Sequence, residues 1–365
     1  MSGECLRAVI VGGHIGRSHA KAYLESDRTD LVAVCDIDPM TLDAFGDEFD
    51  VEGRYTDYET MLREEQPDLI SIGTPQQLHA TMTILAATRY SPRGIICEKP
   101  MASSTAEGYA MLAACKENGV KLAVGHQGRW MPRHERIREL LADGAIGELL
   151  TVHLAPPKLN AGLMNIGTHT LSYLTYMLGD PKPRWVLANV QRQTDRYERS
   201  WPAEDLAGAV IEFDGGVRVS FESDTPPEGM DRGLRVFTGT EGMIKLVGNS
   251  GRSADPGFSL LRSGSTGWEE IDVNAEDYVD ARTREIDALA AWASGEVEEH
   301  REDANLAIDT LEILMGIYES ARTHSLVRLP LKTMGSPLQA MIDSGDLPVR
   351  YAGRFDIRHI AATPD

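Results

Sequence analysis

The chain has 365 residues, more than one hydrophobic core usually spans, so two domains are expected. Hydrophobic residues make up 42% and charged residues 25%, which is ordinary for a globular protein, but the formal net charge is −20 at pH 7. This negative charge argues against nucleic acid and against an anionic membrane surface as partners. A small anionic ligand stays compatible with it, because a pocket can be locally basic.

Cysteine usage and the N-terminus bear on the cellular compartment. The four cysteines lie in or beside apolar runs without paired spacing, at Cys5, Cys35, Cys97 and Cys115. This favours buried, reduced thiols and a cytoplasmic location, with no metal site expected. The first apolar run is too short for a signal peptide, and no segment is long enough to span a bilayer.

The first third of the chain alternates apolar strands with helices. Strands are predicted over 7–11, 30–36, 68–73, 94–98 and 120–125. Helix starts are predicted at Asp38 followed by Pro39 and at two capping boxes, Thr56 with Glu59 and Ser104 with Glu107. Continuous apolar strands separated by helices predict a parallel sheet covered on both faces, with ligands bound at the carboxyl ends of its strands.

The first strand ends in "VGGHIG", an imperfect form of the dinucleotide fingerprint Gly-x-Gly-x-x-Gly. Gly13 and Gly16 match its second and third glycines, whereas Val11 stands in place of the first and Gly12 in the variable position. Such a turn can be purely structural. However, Asp36 lies 20 residues after Gly16, the spacing of the carboxylate that binds the adenosine ribose. A dinucleotide is therefore expected, with its pyrophosphate at the N-terminus of the following helix.

Two further strand ends, in "GTPQQLHA" and "CEKP", emerge at the same edge, and Lys99 in "CEKP" is placed to contact the reacting group. Because Asp36 is followed by Ile37 and by no adjacent arginine, NAD is favoured over NADP. The expected cofactor-binding residues are Gly12, Gly13, His14, Ile15, Gly16, Asp36, Ile37, Thr74, Pro75, His79, Glu98 and Lys99.

The rest of the chain indicates an α+β domain. "RHERIRELLADGAIGELL" predicts a helix running into the strand "LLTVHLA", and "LMNIGTHTLSYLTYMLG" predicts a second helix. On that second helix Ile166 is expected in the apolar stripe, while Asn165 and His169 share another face. Strand-like runs follow, with a hairpin turn at 214–216, and predict a largely antiparallel sheet. Helices over roughly 277–294 and 303–323 complete the domain.

Together these motifs resemble the Gfo/Idh/MocA family, the glucose-fructose oxidoreductase and inositol dehydrogenase group. The resemblance is carried by "GGHIGRSHAKAY", "LVAVCDIDP", "GTPQQLHA", "CEKPMA", "VGHQGRWMP", "RELLADGAIGELL", "MNIGTHTL" and "YESARTHSLVRLPL", and so covers nearly the whole chain. It implies NAD(P)-dependent oxidation or reduction of a secondary alcohol on a sugar, sugar acid or cyclitol. It also implies an open-faced second sheet that carries the contacts of a homo-oligomer, a dimer or tetramer.

The expected domains are an NAD-binding Rossmann domain over 1–125, a substrate and oligomerisation domain over 126–331, and a C-terminal extension over 332–365. The Rossmann domain is expected to have a parallel, doubly wound sheet, and the α+β domain a large, mostly antiparallel, open-faced sheet. The extension is expected to pack on its own or a neighbouring subunit.

The resemblance also implies roles for individual residues. The lysine that matches Lys99 contacts the reacting hydroxyl, and Arg129 and Trp130 match positions of ligand or nicotinamide contacts.

The family pattern Asp-x-Gly-x-His becomes Asn165-Ile166-Gly167-Thr168-His169 in this chain, so the histidine is kept and the acid is replaced by an amide. An amide can orient a hydroxyl but cannot take its proton. Some members that act on nucleotide-linked uronic acids also carry asparagine there. The expected catalytic residues are Lys99, His169 and Asn165, and the expected substrate-binding residues are Lys99, Arg129, Trp130, Asn165 and His169.

The expected reaction transfers a hydride from a secondary alcohol to NAD. His169 is expected to be the general base, and Lys99 to stabilise the developing alkoxide. Lys99 is the base instead if burial and nearby cations depress its pKa. Three other functions stay open: a redox-neutral glycosidase or lyase acting through a transient 3-keto sugar, a non-catalytic dinucleotide-sensing regulator, and a structural protein. The loops "APPKLNAG" and "DRYERSWPAED" are expected to select the substrate.

Overall fold

The computed structural model describes residues 5–155, 162–198, 201–223, 233–247, 257–273 and 281–350. These residues fold into two compact units. The first draws on Met1–Trp130 and Tyr278–Ile308, and the second on Met131–Asp277 and Asp309–Asp365. The expected domains followed one another along the chain, whereas here the chain returns to the first unit after residue 277.

The elements up to the first crossing are β1 (Leu6–Val11), α1 (Gly16–Glu25), β2 (Thr29–Cys35), α2 (Pro39–Phe49), β3 (Gly53–Tyr55), α3 (Tyr58–Glu65), β4 (Leu69–Ile72), α4 (Gln76–Arg89), β5 (Gly94–Glu98), α5 (Thr105–Glu117), β6 (Lys121–Gly125) and a 3₁₀ turn (Gln127–Trp130). Those that follow are α6 (Pro132–Ala142), β7 (Leu149–Ala155), a π-helical turn (Leu163–Gly167), α7 (Thr168–Met177), β8 (Pro183–Gln191), β9 (Tyr197–Glu198), β10 (Trp201–Pro202), β11 (Leu206–Phe213), β12 (Arg218–Ser223), β13 (Leu234–Gly239), β14 (Gly242–Val247), β15 (Phe258–Arg262), β16 (Glu269–Ile271), α8 (Ala281–Ala293), α9 (Ala304–Thr323), β17 (Val327–Arg328) and α10 (Pro337–Ser344).

The first unit is built on a six-stranded parallel sheet in the order β3-β2-β1-β4-β5-β6. This confirms the predicted doubly wound Rossmann architecture. Helix α8, expected in the second domain, belongs to this unit. It does so because its apolar stripe, which includes Ile286 and Leu289, joins the same buried cluster as Leu6 and Ile10 of β1.

Two of the three predicted helix starts are confirmed. The Asp38 side chain accepts from the N–H groups at the start of α2, and the Ser104 hydroxyl accepts from Glu107 N at 3.3 Å. The start predicted at Thr56 is wrong by one residue. Asp57 is the cap, and its carboxylate accepts from Thr60 N at 2.8 Å. A carboxylate next to a threonine is the stronger competitor for the N-terminal N–H groups, because its charge also complements the helix dipole.

The second unit contains a nine-stranded sheet in the order β16-β15-β14-β13-β7-β12-β11-β8-β17. Its pairs are antiparallel except β7 with β12, so the predicted mostly antiparallel sheet is confirmed. The hairpin turn predicted at 214–216 is also confirmed, with φ of 85° at Gly215 and 82° at Gly216, a conformation that favours glycine.

The predicted helix after β7 differs in its first turn, because Leu163–Gly167 form a π-helical turn before α7 begins. The wider turn changes the periodicity, and Ile166 is 39% exposed instead of lying in the apolar stripe. Of the predicted substrate loops, residues 156–161 and 199–200 lie outside the described residues.

The described part of the C-terminal extension packs on the second unit of its own chain. The Thr333 hydroxyl donates to Glu319 at 2.7 Å, and Arg350 N donates to the Gln193 carbonyl at 2.7 Å. Residues 351–365, the end of the predicted extension, lie outside the described residues. Within the described ranges, none of the helices combines the length and apolar character needed to cross a membrane.

Candidate active site

The glycine-rich turn after β1 has a geometry that only glycine permits. Gly12 has a φ of 97°, and a Cβ there would lie 2.5 Å from the carbonyl oxygen of Gly73. A Cβ at Gly16 would lie 2.6 Å from Ile10 Cγ2, so this glycine lets α1 pack closely on β1. Helix α1 begins without a side-chain cap and without an acidic residue in its first turn. Its positive end therefore fits a pyrophosphate, as predicted for this turn.

The carboxylate of Asp36 lies at the end of β2 against the same turn. Its Oδ2 accepts from Gly13 N at 2.7 Å, and its Oδ1 accepts from Asp38 N at 3.0 Å. The neighbouring side chain of Ile37 is 88% exposed, so an apolar surface adjoins the carboxylate. This arrangement fits the hydroxyl groups of an adenosine ribose and one face of an adenine. In the glycine-rich turn between β1 and α1, His14 is exposed and Ile15 is half-buried.

His79 of α4 joins two of the loops at the carboxyl edge of the sheet. Its Nε2 lies 2.9 Å from the Thr74 carbonyl after β4, and its Nδ1 lies 2.9 Å from the Pro100 carbonyl after β5. Both partners are acceptors, so a neutral ring donates to one of them at a time. Burial lowers the pKa of His79 and favours that neutral ring. His79 therefore positions the loop that carries Thr74 and Pro75, and its own contact with the cofactor stays a prediction.

Glu98 and Lys99 follow each other at the end of β5 and are both buried. Glu98 Oε1 accepts from Arg282 Nη2 of α8 at 2.7 Å and lies 3.1 Å from His19 Nε2 of α1. Burial opposes ionisation of Glu98, but Arg282 and His19 outweigh it and hold its pKa well below its usual range. The Glu98 carboxylate is therefore hydrogen-bonded and ion-paired inside the first unit, and its contact with the cofactor stays a prediction.

The tautomer of His19 follows from this contact. The Glu98 carboxylate only accepts, so His19 Nε2 carries the proton and Nδ1 accepts from the Ser71 hydroxyl at 3.0 Å. The Tyr23 hydroxyl then donates to Ser71 at 2.8 Å. Burial lowers the pKa of His19, which keeps the ring neutral. A buried hydrogen-bonded chain therefore leads from α1 to the residue before Lys99.

Arg282 also interacts with two further carboxyl groups in the first unit. Its Nη1 donates to Glu285, one turn later on α8, and Glu302 lies close enough to both residues to interact electrostatically. Burial, and then the charge of Glu285, raise the pKa of Glu302 well above its usual range. Three buried carboxyl groups face one guanidinium, and a protonated Glu302 reduces their excess charge.

Arg129 and Trp130 lie in the 3₁₀ turn after β6, where both are buried. Arg129 Nη1 donates to the Arg301 carbonyl at 2.9 Å, and the Trp130 ring lies 4.7 Å from the Arg301 guanidinium. These contacts hold the turn against the segment before α9. A contact of either residue with substrate stays a prediction.

Asn165 and His169 belong to the second unit, Asn165 in the π-helical turn and His169 in the first turn of α7. Asn165 is buried and His169 is half-buried. Gly162 precedes the π-helical turn, and its carbonyl accepts from Gly167 N at 3.2 Å. Single π-helical turns are frequent at functional sites.

Two buried carboxyl groups adjoin this turn. Glu204 Oε1 accepts from Leu163 N at 2.7 Å, and its Oε2 accepts from the Tyr318 hydroxyl at 2.7 Å. Glu198 is hydrogen-bonded to the Asn165 side chain and paired with Arg196. The turn that carries Asn165 is therefore supported by carboxyl groups from outside its own helix.

Two family profiles match the chain and together span more than half of it. The profile described as an oxidoreductase family with an NAD-binding Rossmann fold matches residues 6–126, and the Gfo/Idh/MocA C-terminal domain profile matches residues 134–245. The chain belongs to the Gfo/Idh/MocA oxidoreductase family.

Curated relatives and a solved structure agree with this family. A D-apiose dehydrogenase from Paraburkholderia graminis is 28% identical, with 93% of each chain covered. A D-xylose 1-dehydrogenase (NADP(+)) from Haloferax volcanii is 26% identical, with 86% of this chain and 97% of the relative covered. The inositol dehydrogenase homologue from Azotobacter vinelandii, solved with NADH and myo-inositol, has a TM-score of 0.75 at 19% identity, with 89% of this chain and 98% of the homologue covered. At that identity the structure supports the fold alone.

As a family member the protein is an oxidoreductase with an NAD-binding domain, and the expected residues divide between its two units. The first unit brings together Gly12, Gly13, Gly16, Asp36, Thr74, Pro75 and Lys99 at the carboxyl edge of one sheet. The second unit holds Asn165 and His169 on consecutive turns.

Sequence reasoning missed Arg282, Glu285 and Glu198. Arg282 and Glu285 are three residues apart, and both are buried with Ile286 on α8. Two opposite charges among the buried residues of one helix are a signal of buried pairing. Glu198 lies in the short strand β9, within the run 195–205 that is predicted as a substrate loop, and no pattern in the sequence singles it out.

Proposed function

We propose that the protein is an NAD-dependent dehydrogenase that oxidises a secondary alcohol of a sugar, sugar derivative or cyclitol to a ketone. The observation that carries this proposal is the position of Lys99. It follows a buried strand at the ligand edge of an NAD-binding sheet, while the preceding acid is held by Arg282. The names of the relatives, which include dehydrogenases of apiose, xylose and D-glucosides, support a carbohydrate substrate.

The residues of the chain would divide the work in this reaction. Bound NAD supplies the hydride acceptor. The ammonium group of Lys99 would donate a hydrogen bond to the substrate oxygen and stabilise the negative charge that develops there. His169 would accept the hydroxyl proton as general base, and Asn165 would orient the hydroxyl. Lys99 is the alternative base, and the pH profiles described in the Discussion distinguish the two.

Asp36 supports NAD over NADP, because its carboxylate would bind the ribose hydroxyls, and a 2′-phosphate on that ribose would meet its negative charge. We further propose a cytoplasmic homo-oligomer, a dimer or tetramer, assembled through the sheet of the second unit. Light scattering coupled to gel filtration measures the oligomeric state directly.

The deciding experiment follows NADH formation over a panel of pentoses, pyranosides, uronic acids and cyclitols, guided by mass spectrometry of small molecules that copurify. Stoichiometric NADH with a ketone product supports the proposal. Product without accumulated NADH would instead favour a redox-neutral glycosidase or lyase that passes through a keto sugar. Tight NAD binding without turnover of any substrate would favour a dinucleotide-sensing regulator.

A further inference from the structure

The carboxylate of Glu98 makes one contact beyond its ion pair, and that contact is with the backbone of Lys99. Glu98 Oε2 accepts from Lys99 N at 3.2 Å. Its Oε1 accepts from Arg282 Nη2 at 2.7 Å and lies 3.1 Å from His19 Nε2. One carboxylate therefore takes N–H groups from α8, from α1 and from the end of its own strand.

The neighbouring strand leaves room for this arrangement. Gly125 of β6 lies opposite Glu98 in the sheet, and a Cβ there would lie 3.2 Å from Glu98 Oε1 and 3.1 Å from Arg282 Nη1. Because Gly125 has no side chain, the guanidinium can reach the carboxylate at the strand end. Glu98 and Arg282 are both buried, so their interaction is only weakly screened by water and salt.

We propose that Glu98 is a positioning residue that holds the backbone of Lys99 and so determines where its ammonium group meets the substrate oxygen. This inference rests on the dehydrogenase function proposed above, in which Lys99 stabilises the developing alkoxide. Arg282 and His19 take part by fixing the carboxylate, and the fixed backbone sets the direction in which the Lys99 side chain leaves the strand. A displacement of about 1 Å at such a group can lower a rate by about 10²-fold.

Only a carboxylate can accept from all three donors. Both of its oxygens accept, whereas the amide of Glu98→Gln accepts at one end and donates at the other. The amide oxygen is expected to turn toward Arg282, because a hydrogen bond to a charged group is the stronger one. The amide NH₂ group then faces Lys99 N–H, and two donors cannot bond each other. Glu98→Gln should therefore keep the contact with α8 and lose the contact with Lys99.

Glu98 takes no part in moving the hydroxyl proton. Burial opposes its ionisation, but Arg282, His19 and Lys99 outweigh burial and hold the pKa of Glu98 well below its usual range. A carboxylate that stays ionised near neutral pH cannot serve as the base, so that role stays with the groups named above. The effect of Glu98→Gln on catalysis should accordingly be the same at every pH of the assay.

A first experiment needs no substrate and observes the Lys99 amide directly. The full-length protein is labelled with ¹⁵N-lysine, and the backbone signal of Lys99 is assigned by its loss in Lys99→Arg. Hydrogen exchange of that amide is then followed by NMR. The internal reference is Lys121 N of β6, which donates to the Arg93 carbonyl at 3.1 Å. In Glu98→Gln the Lys99 amide should exchange at least about tenfold faster relative to Lys121, because it has lost its acceptor.

The ratio of the two exchange rates separates a local effect from a general loss of stability, which would speed both amides. Leu289→Ala removes buried packing of α8 without touching Glu98, so it is the matched control and should leave the ratio unchanged. An unchanged ratio in Glu98→Gln, or an equal change in Leu289→Ala, overturns the proposal. Where Glu98→Gln does not fold, the wild type decides, because a Lys99 amide that exchanges as fast as a solvent-exposed amide overturns it too.

A second experiment reports on catalysis and uses an alcohol that supports NADH formation. Glu98→Gln should lower kcat by about 10- to 10²-fold and leave the affinity for NAD within a few fold. The loss should be the same over roughly pH 6 to 9, whereas Leu289→Ala should keep its kcat within a few fold. An unchanged kcat, a loss that varies with pH, or a loss of NAD affinity instead of kcat overturns the proposal. If no alcohol is oxidised, the proposed function fails while the amide exchange is still measured, so the two failures are distinguishable.

Discussion

Arg282 Nη2 donates to Glu98 Oε1 at 2.7 Å across 184 residues of sequence, and this bond fixes the acid beside Lys99 inside the first unit. The guanidinium is shared with Glu285, and Glu302 completes the group of buried carboxyls around it. Breaking a buried ion pair by removing one partner costs far more than removing a group that is already neutral. The cluster therefore predicts unequal effects for chemically identical substitutions.

Glu302→Gln should change the free energy of unfolding little, because the raised pKa of Glu302 keeps that carboxyl protonated and glutamine has nearly the same shape. Glu98→Gln should cost about 3 kcal/mol, because it leaves the buried Arg282 with one charged partner fewer. Urea denaturation of both variants at pH 7 measures the difference. Equal losses of unfolding free energy would mean that Glu302 is ionised and is a charged partner of Arg282, as Glu98 is.

Lys99→Ala should abolish NADH formation and leave the affinity for NAD within a few fold. The ammonium group is expected on the reacting oxygen, whereas the glycine-rich turn and Asp36 are expected to hold the cofactor. Fluorescence titration gives the NAD affinity, and the matched control is Lys116→Ala in the last turn of α5. If the variant kept most of its kcat, Lys99 would be a structural strand end and no part of the catalytic machinery.

The architecture of the first unit could be predicted because its strands are continuous apolar runs, which are decisive for a parallel sheet. The placement of α8 could not, since its stripe of Ile286, Leu289 and Trp292 would fit either sheet and only long-range packing decides. The ion pair between Arg282 and Glu98 could not be predicted either, because it depends on the same long-range packing of α8. At the other site, the motif located Asn165 and His169, but the π-helical turn depends on Glu204 and Gly162 and no local propensity indicates it.

NAD should bind at least tenfold better than NADP, a difference of about 1.4 kcal/mol, because the Asp36 carboxylate would repel a 2′-phosphate. Asp36→Ser combined with Ile37→Arg should reverse or remove this preference, since position 37 is exposed beside the turn and an arginine there can reach the phosphate. Parallel fluorescence titrations with both cofactors test the prediction. Equal wild-type affinities would remove Asp36 from its assigned role.

Burial raises the pKa of Glu198 to about 8, which makes a prediction about stability and pH. The folded state binds this proton more tightly than the unfolded state, so Glu198 favours folding below its ordinary pKa of 4.5 and loses that contribution as pH rises through about 8. The free energy of unfolding of the wild type should therefore fall over this range more steeply than that of Glu198→Gln, by at most about 1.4 kcal/mol per pH unit. Denaturation at several pH values compares the slopes. Parallel slopes would mean that the pKa of Glu198 is ordinary.

His169→Ala should lower kcat by about 10² to 10⁴, the usual range for loss of a general base, whereas Asn165→Ala should cost less because it removes only an orienting hydrogen bond. Asn165→Asp introduces the acid that the family resemblance implies at this position, one helical turn from His169. Its negative charge should raise the apparent pKa of His169, so the pH–rate profile for oxidation should move to higher pH while activity is retained.

Glu198, which hydrogen-bonds the Asn165 side chain, should reduce this shift. The carboxylate of Asn165→Asp would face Glu198 and share a proton with it, so the shift should be smaller in Asn165→Asp than in Asn165→Asp/Glu198→Gln. Profiles of kcat and kcat/KM for the four variants decide the matter. If Asn165→Ala is as damaging as His169→Ala and the profile of Asn165→Asp stays in place, His169 is not the titrating base, and Lys99 takes that role.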